Sequence, residues 1–260
     1  MRLEDGSGCF VKTGVDLWAE RLRIEHDMYT GLQGASFLPR LLAWEDDGTQ
    51  PILVLEDLSA ATWPPPWTPQ GIQDVLDTLA SVRDARVPGI RRMIAIDTDF
   101  GRHWQVVAAD PQPFLRLGLC TAAWLSNSLP LLDATATSVE LGGTDLLHND
   151  LRSDNLCFLD DRVVIIDWDS ACLGNGILDI AAWLPSLHSE GGPLPENILA
   201  SQPEMASAVA GYFAAYAGLS HLVDAPHVRN IQLSQLCSAL PWAARALDLP
   251  ALDGPNAPTA

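Results

Sequence analysis

Four side chains that could bind a metal ion or accept a proton lie close together in the middle of the chain: His148, Asp150, Asn155 and Asp167. The amide oxygen of Asn155 and the carboxylate of Asp167 are hard oxygen ligands of the kind that Mg²⁺ takes in proteins. A carboxylate such as Asp150 can accept the proton of an attacking hydroxyl group. These residue types predict chemistry in which a metal-bound phosphate meets a hydroxyl group.

A β-hairpin must bring these residues together. Residues 156–159 and 163–166 form two apolar runs separated by the polar turn 160–162, and this pattern predicts two antiparallel strands. Asn155 precedes the first strand and Asp167 follows the second, so antiparallel pairing brings both to the same open end. Asp150 lies on the loop that enters this hairpin.

The order His-x-Asp-Leu-x-x-x-Asn, followed by a strand that ends in Asp, resembles the catalytic loop and metal-binding Asp of the protein-kinase-like fold. The segments HNDLRSDN and IDWD are similar to the corresponding segments of the aminoglycoside phosphotransferase and choline kinase-like family. The resemblance implies that Asp150 is the catalytic base and that His148 is a structural residue. It also implies that Asn155 and Asp167 bind the metal. An acidic hairpin with solvated side chains is the alternative, which explains each residue alone but not their joint spacing.

Lys12 is the only lysine among fifteen basic residues. Because Arg supplies every other positive charge, a single Lys favours a specific role, and a compact ammonium is a point-charge ligand for phosphate. Residues 9–12 predict a short strand that carries Lys12, after turn-like residues 5–8. The strand should therefore present an amine to a phosphate-binding site.

Residues 16–32 predict a helix, for which Asp16 could be the N-cap. Glu25 shares a helix face with Trp18 and Tyr29 and should therefore face the core, where a carboxylate requires a cationic partner. The family resemblance implies that Glu25 pairs with the strand lysine to orient nucleotide phosphates. Glu20 is the competing partner, and an exposed Glu25 is the other alternative.

Two further strands are predicted at residues 38–44 and 51–55, joined by the polar turn 45–48. The second ends in Glu56-Asp57-Leu58, which resembles the hinge where the family's backbone meets the adenine edge. Glu56 and Leu58 are predicted nucleotide contacts by position, although an ordinary strand end fits the same residues. The resemblance also implies a glycine-rich strand pair ahead of the lysine strand, and residues 5–8 are too short for it. We expect that the reading frame was started too late, and loss of that part of the small lobe is the alternative.

The resemblance implies an α+β, two-lobed protein-kinase-like fold. Residues 1–60 would form an incomplete, β-rich nucleotide-binding lobe, and residues 61–260 a larger, mainly helical lobe that holds the catalytic hairpin and the substrate site. Thr68-Pro69 predicts the start of a helix after the proline-rich connector. Asp179, in a helix after the hairpin, would brace the catalytic loop through backbone hydrogen bonds, whereas a first-turn acid favoured by the helix dipole is the alternative.

The amino-acid composition limits which partners and which cellular location can be expected. With 33 acidic and 15 basic residues the formal net charge is −18, which argues against nucleic acid and anionic membranes as partners. The charge would suit a cationic small substrate, although acidity also serves plain solubility. No apolar run is long enough to cross a membrane and no signal peptide is recognisable, which predicts a cytoplasmic protein. Five scattered cysteines without a C-x-x-C pair predict reduced, mostly buried thiols.

These observations predict an ATP-dependent phosphotransferase that uses Mg²⁺ and moves the γ-phosphate to a hydroxyl of an aminoglycoside-like molecule, an amino alcohol or a sugar. A non-catalytic, kinase-like protein that binds a nucleotide or small molecule is the main alternative. A metal-dependent phosphohydrolase fits less well, because such sites usually recruit more His ligands than this chain offers. The acceptor, the choice between ATP and GTP and the oligomeric state stay open.

Overall fold

The structure, a computed structural model, describes residues 8–97 and 99–258 of the chain. Contacts divide the chain into two compact units, each built from two stretches of sequence. The first unit comprises the chain up to Met93 together with Gly142–Asp179, and the second comprises Ile94–Leu141 and the chain from Ile180 onward. Residues 5–7 of the predicted N-terminal turn lie outside the described residues.

All seven strands of the described residues belong to the first unit. They are β1 (Cys9–Thr13), β2 (Leu41–Glu45), β3 (Ile52–Glu56), β4 (Asp145–Leu147), β5 (Leu156–Leu159), β6 (Arg162–Ile165) and β7 (Cys172–Gly174). An antiparallel sheet has the order β1-β3-β2, with Lys12 opposite Leu53. Leu53 and Leu55 alternate with partly exposed neighbours on β3, the pattern of a strand with one face on the core.

The helices of the first unit are α1 (Leu17–Gly31) and α2 (Pro69–Asp84). The Thr68 hydroxyl accepts a hydrogen bond from the Gly71 N–H at 3.0 Å, so the predicted cap of α2 is present.

Helix α1 departs from its prediction at two residues. Glu25 is buried as predicted, but Trp18 is 63% exposed, so its assignment to the core-facing stripe was wrong. Asp16 precedes α1 without a side-chain cap, because its backbone has a positive φ of 52°.

Strands β5 and β6 form the predicted hairpin, with Leu156 opposite Ile165 and Leu159 opposite Arg162. The turn has two residues rather than three, because Arg162 joins the strand. Asp160 takes a positive φ of 54°, a conformation that tight hairpin turns require and that Asp tolerates.

Several hydrogen bonds tie this hairpin to the N-terminal half of the chain. The N–H of Ile165 donates to the Phe37 carbonyl at 2.8 Å. Arg162 donates to the carbonyl of Leu38 at 2.9 Å and to the Glu56 carboxylate at 2.8 Å. Phe158 pairs with Thr62 through reciprocal backbone hydrogen bonds of 2.8 and 2.9 Å. The hairpin therefore folds against residues 36–62 within one compact unit.

The second unit is helical over the described residues. Its helices are α3 (Met93–Ile96), α4 (His103–Ala109), α5 (Gln112–Leu115), α6 (Ala122–Thr137), α7 (Ile177–Ser189), α8 (Pro195–Ile198), α9 (Pro203–Ala217) and α10 (Val228–Ala246), of which α3 and α7 begin in the first unit. Helix α9 is central and rich in buried Ala, and the small side chains let its neighbours approach closely. The buried Trp104 indole donates to the Ser207 carbonyl at 2.9 Å, and the Ser207 hydroxyl donates to the Leu132 carbonyl at 2.8 Å.

These elements confirm the predicted α+β class. The predicted division at residue 60 does not coincide with the boundary between the compact units at Met93, so the two-lobe assignment stays a prediction. All five cysteines are thiols, four of them buried. Within the part of the chain that the structure describes, no helix combines the length and apolar character needed to cross a membrane.

Candidate active site

The loop after β4 is held by the carboxylate of Asp179, which is 3% exposed. Oδ2 accepts a hydrogen bond from the N–H of His148 at 2.7 Å, and Oδ1 accepts one from the N–H of Asn149 at 2.8 Å. Asn149 has a positive φ of 64°, a left-handed conformation that Asn tolerates better than most residues with a side chain. Burial raises the pKa of Asp179 to about 6, against the two hydrogen bonds that favour its ionised form. This carboxylate therefore fixes a left-handed turn immediately before Asp150.

His148 connects the loop to the end of β6. The imidazole is fully buried, its Nε2 lies 2.8 Å from the Ile166 carbonyl, and its Nδ1 accepts from the N–H of Asp150 at 3.3 Å. Burial lowers the pKa of His148 to about 4, so the ring is neutral at physiological pH. A neutral ring that accepts at Nδ1 carries its proton on Nε2 and donates it to Ile166. His148 is thus a structural bridge, with no free nitrogen for a metal.

Asp150 follows this turn, and its side chain is 43% exposed. Burial in the loop and the neighbouring carboxylates of Asp167, Asp154 and Asp169 raise the pKa of Asp150 to about 6, although Arg152 opposes this shift. A carboxylate with a pKa near 6 is a stronger base than an ordinary Asp and is still largely ionised at neutral pH.

Asn155 and Asp167 meet at the open end of the hairpin. The N–H of Ile166 donates to the Asn155 carbonyl at 3.0 Å, which extends the β5–β6 pairing by one residue. The side-chain amide nitrogen of Asn155 donates to the Asp150 carbonyl at 2.9 Å, which leaves the amide oxygen for another partner. Asp167 follows with a left-handed φ of 69° and a side chain 41% exposed.

Lys12 joins the β1 strand to this hairpin end. Its Nζ lies 3.0 Å from both carboxylate oxygens of Glu25 and 2.8 Å from Oδ1 of Asp167. Although burial alone lowers the pKa of Lys12, the carboxylates of Glu25 and Asp167 raise it above its ordinary value, so the ammonium stays charged. Glu25 is 1% exposed and also accepts from the Tyr29 hydroxyl at 3.1 Å. The buried carboxylate is therefore bonded on both oxygens.

A cavity of about 390 Å³ lies beside Lys12 in the first unit. Its lining includes Phe10, Lys12, Leu55, Leu58, Trp63 and Ile166. The volume falls in the range of small-molecule sites, which are largely apolar with a few polar groups. A mainly apolar cavity with an ammonium at its edge can accept a flat ring that carries a phosphate chain.

The oxygen donors at the hairpin end fit a hard divalent cation. The partly exposed carboxylate of Asp167 and the remaining amide oxygen of Asn155 are ligands that Mg²⁺ accepts together with waters and phosphate oxygens. Across residues 8–97 and 99–258 no group of three or more His, Cys, Asp and Glu side chains could hold a metal by itself. A cation held by Asn155 and Asp167 would complete its coordination with water or phosphate oxygens.

A family model described as the phosphotransferase enzyme family matches residues 3–225. The chain belongs to this family.

Solved structures support the same fold for this phosphotransferase family member. A choline/ethanolamine kinase family protein from Mesorhizobium loti is 12% identical, with 92% of this chain and 85% of that chain covered and a TM-score of 0.60. A thermostable mutant of aminoglycoside phosphotransferase APH(4)-Ia, in a ternary complex with AMP-PNP and hygromycin B, is 15% identical, with coverages of 94% and 86% and a TM-score of 0.56. Amicoumacin kinase hAmiN, in complex with AMP-PNP, Ca²⁺ and Ami, is 14% identical, with coverages of 97% and 86% and a TM-score of 0.55. These similarities confirm the predicted protein-kinase-like fold.

A shorter match involves the probable acyl-CoA dehydrogenase IBR3 of Arabidopsis thaliana. It is 41% identical over 61 residues, which represent 22% of this chain and 7% of the plant protein. The match therefore covers a small part of this chain and a smaller part of the plant protein.

The family member's predicted site residues come together in the first unit, while their roles stay predictions. Lys12, Glu25 and Asp167 form one hydrogen-bonded group, and Asp150 is hydrogen-bonded to Asn155. The predicted nucleotide contacts Glu56 and Leu58 both line the cavity. The Glu56 carboxylate, however, is held by Arg162 at 2.8 Å and by the N–H of Arg40 at 3.0 Å. This side chain therefore joins β3 to the hairpin.

Sequence reasoning missed three residues around the site. Trp63 lines the cavity beside Leu58, in a proline-rich segment that we had interpreted only as a connector. Arg91 donates to the carbonyls of Asp169 at 2.7 Å and Ala171 at 3.1 Å, fixing the turn after Asp167. Arg152 lies within the loop motif itself, 3.4 Å from Asp150. Only Arg152 had a signal in the sequence, namely its place between the predicted base and the predicted metal ligand.

Proposed function

We propose that this protein transfers the γ-phosphate of ATP to a hydroxyl group of a small molecule. The observation that carries the proposal is the contact of Lys12 with both Glu25 and Asp167, at 3.0 and 2.8 Å. It joins the predicted phosphate-binding amine to the predicted metal-binding carboxylate. Membership of the phosphotransferase family supports the reaction class.

Lys12 would bind the inner phosphates of ATP as a point charge. The Lys12 side chain is 21% exposed, which leaves it open to a ligand, and Glu25 and Asp167 keep its ammonium charged and in place. The adjacent cavity of about 390 Å³ would receive the base and ribose. The neighbouring solved structures that contain AMP-PNP are compatible with such a nucleotide site.

Asp150 would accept the proton of the acceptor hydroxyl. As the acceptor oxygen forms its bond to the γ-phosphorus, the bond from that phosphorus to the oxygen bridging the β-phosphate breaks, and its electron pair leaves with ADP. The acceptor proton passes to Asp150, whose pKa of about 6 suits proton exchange near neutral pH. Asp179 and His148 would hold the loop in the geometry that this transfer requires.

Asn155 and Asp167 would hold Mg²⁺. When bound, the ion neutralises phosphate charge and aligns the phosphate chain for in-line transfer. The chain's own contribution is to fix the two oxygen donors: Asn155 by its hydrogen bond to the Asp150 carbonyl, and Asp167 by its contact with Lys12.

The acceptor would be a small hydroxyl-bearing compound, such as an amino sugar, an amino alcohol or a sugar. A formal charge of −18 favours cationic members of this group. Hygromycin B, bound together with AMP-PNP in one neighbouring complex, illustrates the size of small molecule that a protein of this fold can bind.

The test is phosphate transfer from radiolabelled ATP, in the presence of Mg²⁺, to a panel of amino-sugar antibiotics, amino alcohols and sugars. We expect labelled product with at least one compound and a loss of about 10²-fold to 10⁴-fold in Asp150→Asn. Asp161→Asn, at the exposed hairpin turn, is the matched control and should retain activity. Nucleotide binding by calorimetry without any transfer would favour the non-catalytic binding protein instead.

A further inference from the structure

Trp63 is an exposed aromatic side chain beside the cavity of the first unit. It is 38% exposed and lines the same cavity as Lys12 and Leu58. Among the residues that the structure describes, its indole N–H has no hydrogen-bond partner and its ring has no aromatic partner. Exposed indole surface is unfavourable in water, because the ring is largely apolar. A tryptophan that the fold leaves open in this way indicates a role toward a ligand of the cavity.

The backbone on both sides of Trp63 is anchored to the hairpin. Thr62 exchanges backbone hydrogen bonds of 2.8 and 2.9 Å with Phe158. Trp67 packs edge-on against the Phe158 ring, with 6.2 Å between the ring centroids. Because both ends of this short segment are held, little backbone freedom remains to be lost when the indole contacts a ligand. The fold therefore presents Trp63 to the cavity in a fixed place.

The rest of the lining determines which part of a ligand the indole meets. Leu55, Leu58 and Ile166 contribute apolar side chains, whereas Lys12 contributes an ammonium. The Glu56 carboxylate in the lining is already bonded within the protein. A phosphate chain belongs beside the ammonium, so the ring of the same ligand would lie against the apolar surface. The faces of that ring are then the parts available to an aromatic side chain.

We propose that Trp63 is a specificity-determining residue, whose indole stacks on the base of the phosphate donor and favours purines over pyrimidines. This inference rests on the proposed function. Every nucleobase has a face on which an aromatic side chain can stack, and the strength of stacking differs between bases. A bicyclic indole overlaps a bicyclic purine over a larger area than it overlaps a pyrimidine, so more apolar surface is covered with the purine.

A purely structural role in the proline-rich segment is the competing explanation. In that case the loss of Trp63 would deform the cavity and weaken all of its ligands alike. A residue that stacks on the base must instead distinguish ADP from CDP, which carry the same phosphates on different rings. It must also leave tripolyphosphate unaffected, because this ligand has a phosphate chain and no base. The ratios of these affinities therefore separate the explanations.

The experiment compares wild type with Trp63→Ala and Trp63→Phe, using the full chain. Calorimetry with Mg²⁺ gives the Kd values for ADP, CDP and tripolyphosphate, and thermal unfolding shows whether each variant is folded. Trp18→Ala is the matched control. It removes a tryptophan of the same unit that is 63% exposed on α1 and does not belong to the cavity lining.

In Trp63→Ala we expect the Kd to rise about tenfold for ADP and about threefold for CDP, with a change below about twofold for tripolyphosphate. The preference for ADP over CDP should therefore fall about threefold. Trp63→Phe should lie between Ala and wild type, and Trp18→Ala should match wild type.

Three results would overturn the inference alone: equal binding of ADP and CDP by wild type, an unchanged ratio of the two in Trp63→Ala, or an equal loss of all three ligands. If the Ala variant does not fold, the Phe variant decides by the same ratio. A wild type that binds neither nucleotide overturns the proposed function, and this inference with it.

Discussion

The ammonium of Lys12 donates to both carboxylate oxygens of Glu25, at 3.0 Å each. The carboxylate is buried on α1 and has one further partner, the hydroxyl of Tyr29. The pair therefore joins the first strand to the first helix and fixes the amine next to Asp167. Its removal should affect stability as well as ligand binding.

Lys12→Met should lower the free energy of unfolding by about 2 kcal/mol, because it leaves a buried carboxylate with a single hydroxyl donor. Urea denaturation followed by circular dichroism measures this change. The same variant should weaken ATP binding at least tenfold in calorimetry, since the point charge for phosphate is lost. A variant with wild-type stability and affinity would contradict the role of Lys12.

The matched control is Glu20→Gln, which removes an exposed acid from the same helix. It should change stability by less than about 0.5 kcal/mol. The double variant Lys12→Met with Glu25→Gln should be more stable than Lys12→Met alone, because a neutral amide is cheaper to bury than an unpaired carboxylate. Additive losses in the double variant would show that the two side chains are not coupled.

The pH profile of the reaction should have an acidic limb near pH 6, because the proposed base Asp150 must be ionised to accept a proton. The pKa of Asp150 is raised to about 6 from an ordinary value of 3.8. Protonation then removes the base as the pH falls through that value, so kcat/KM should be constant above it and drop about tenfold per pH unit below it. The pH profile of kcat/KM with saturating second substrate checks this. A limb near the ordinary carboxyl range, or none, would count against Asp150.

Asp179→Asn should disturb the loop without touching the nucleotide cavity. The two backbone N–H groups bind different oxygens of the carboxylate, and in the amide one of these positions becomes an NH₂ donor, so one N–H loses its acceptor. We expect a loss of about 1–3 kcal/mol in stability and a kcat at least tenfold lower, with the Kd for ADP nearly unchanged. Asp77→Asn, on an exposed face of α2, is the control. Equal losses in kcat and ADP affinity would indicate a general folding defect instead.

Glu56→Gln tests whether the side chain of Glu56, a predicted nucleotide contact at the end of β3, takes part in nucleotide binding. Its carboxylate binds Arg162 and the N–H of Arg40, so the variant should lose about 1–2 kcal/mol of stability. The affinity for ADP should change less than twofold, because a hinge contact through the backbone does not use this side chain. Thermal unfolding and calorimetry together give the answer. A large loss of ADP affinity at unchanged stability would restore a direct role for the carboxylate.

Local patterns predicted the elements around the site well. The hairpin followed from two apolar runs and a polar turn, and its pairing brings Asn155 and Asp167 to one end. The burial of Glu25 followed from helical spacing, yet Trp18 on the same predicted face is exposed. Trp18 lies in the first turn of α1, where the core covers Ala19 but not Trp18. Periodicity alone does not reveal where that cover stops.

Long-range contacts were less predictable. The attachment of the Glu56 carboxylate to Arg162 joins residues 106 positions apart, and no spacing rule connects them. The conformation of Asp16 was equally hidden, since a positive φ prevents the capping geometry that its residue type favours.

The hydrogen bonds from residues 162 and 165 to Phe37, Leu38 and Glu56 constrain how this protein could be recombined with its relatives. The first compact unit includes the chain up to Met93 and also Gly142–Asp179, so it is interrupted in sequence. A chimaera with one crossover at residue 60 would combine a hairpin and a sheet from different parents. Crossovers that exchange residues 94–141 together with the chain from Ile180 onward would take each compact unit from one parent, and would therefore preserve the native contacts within each unit.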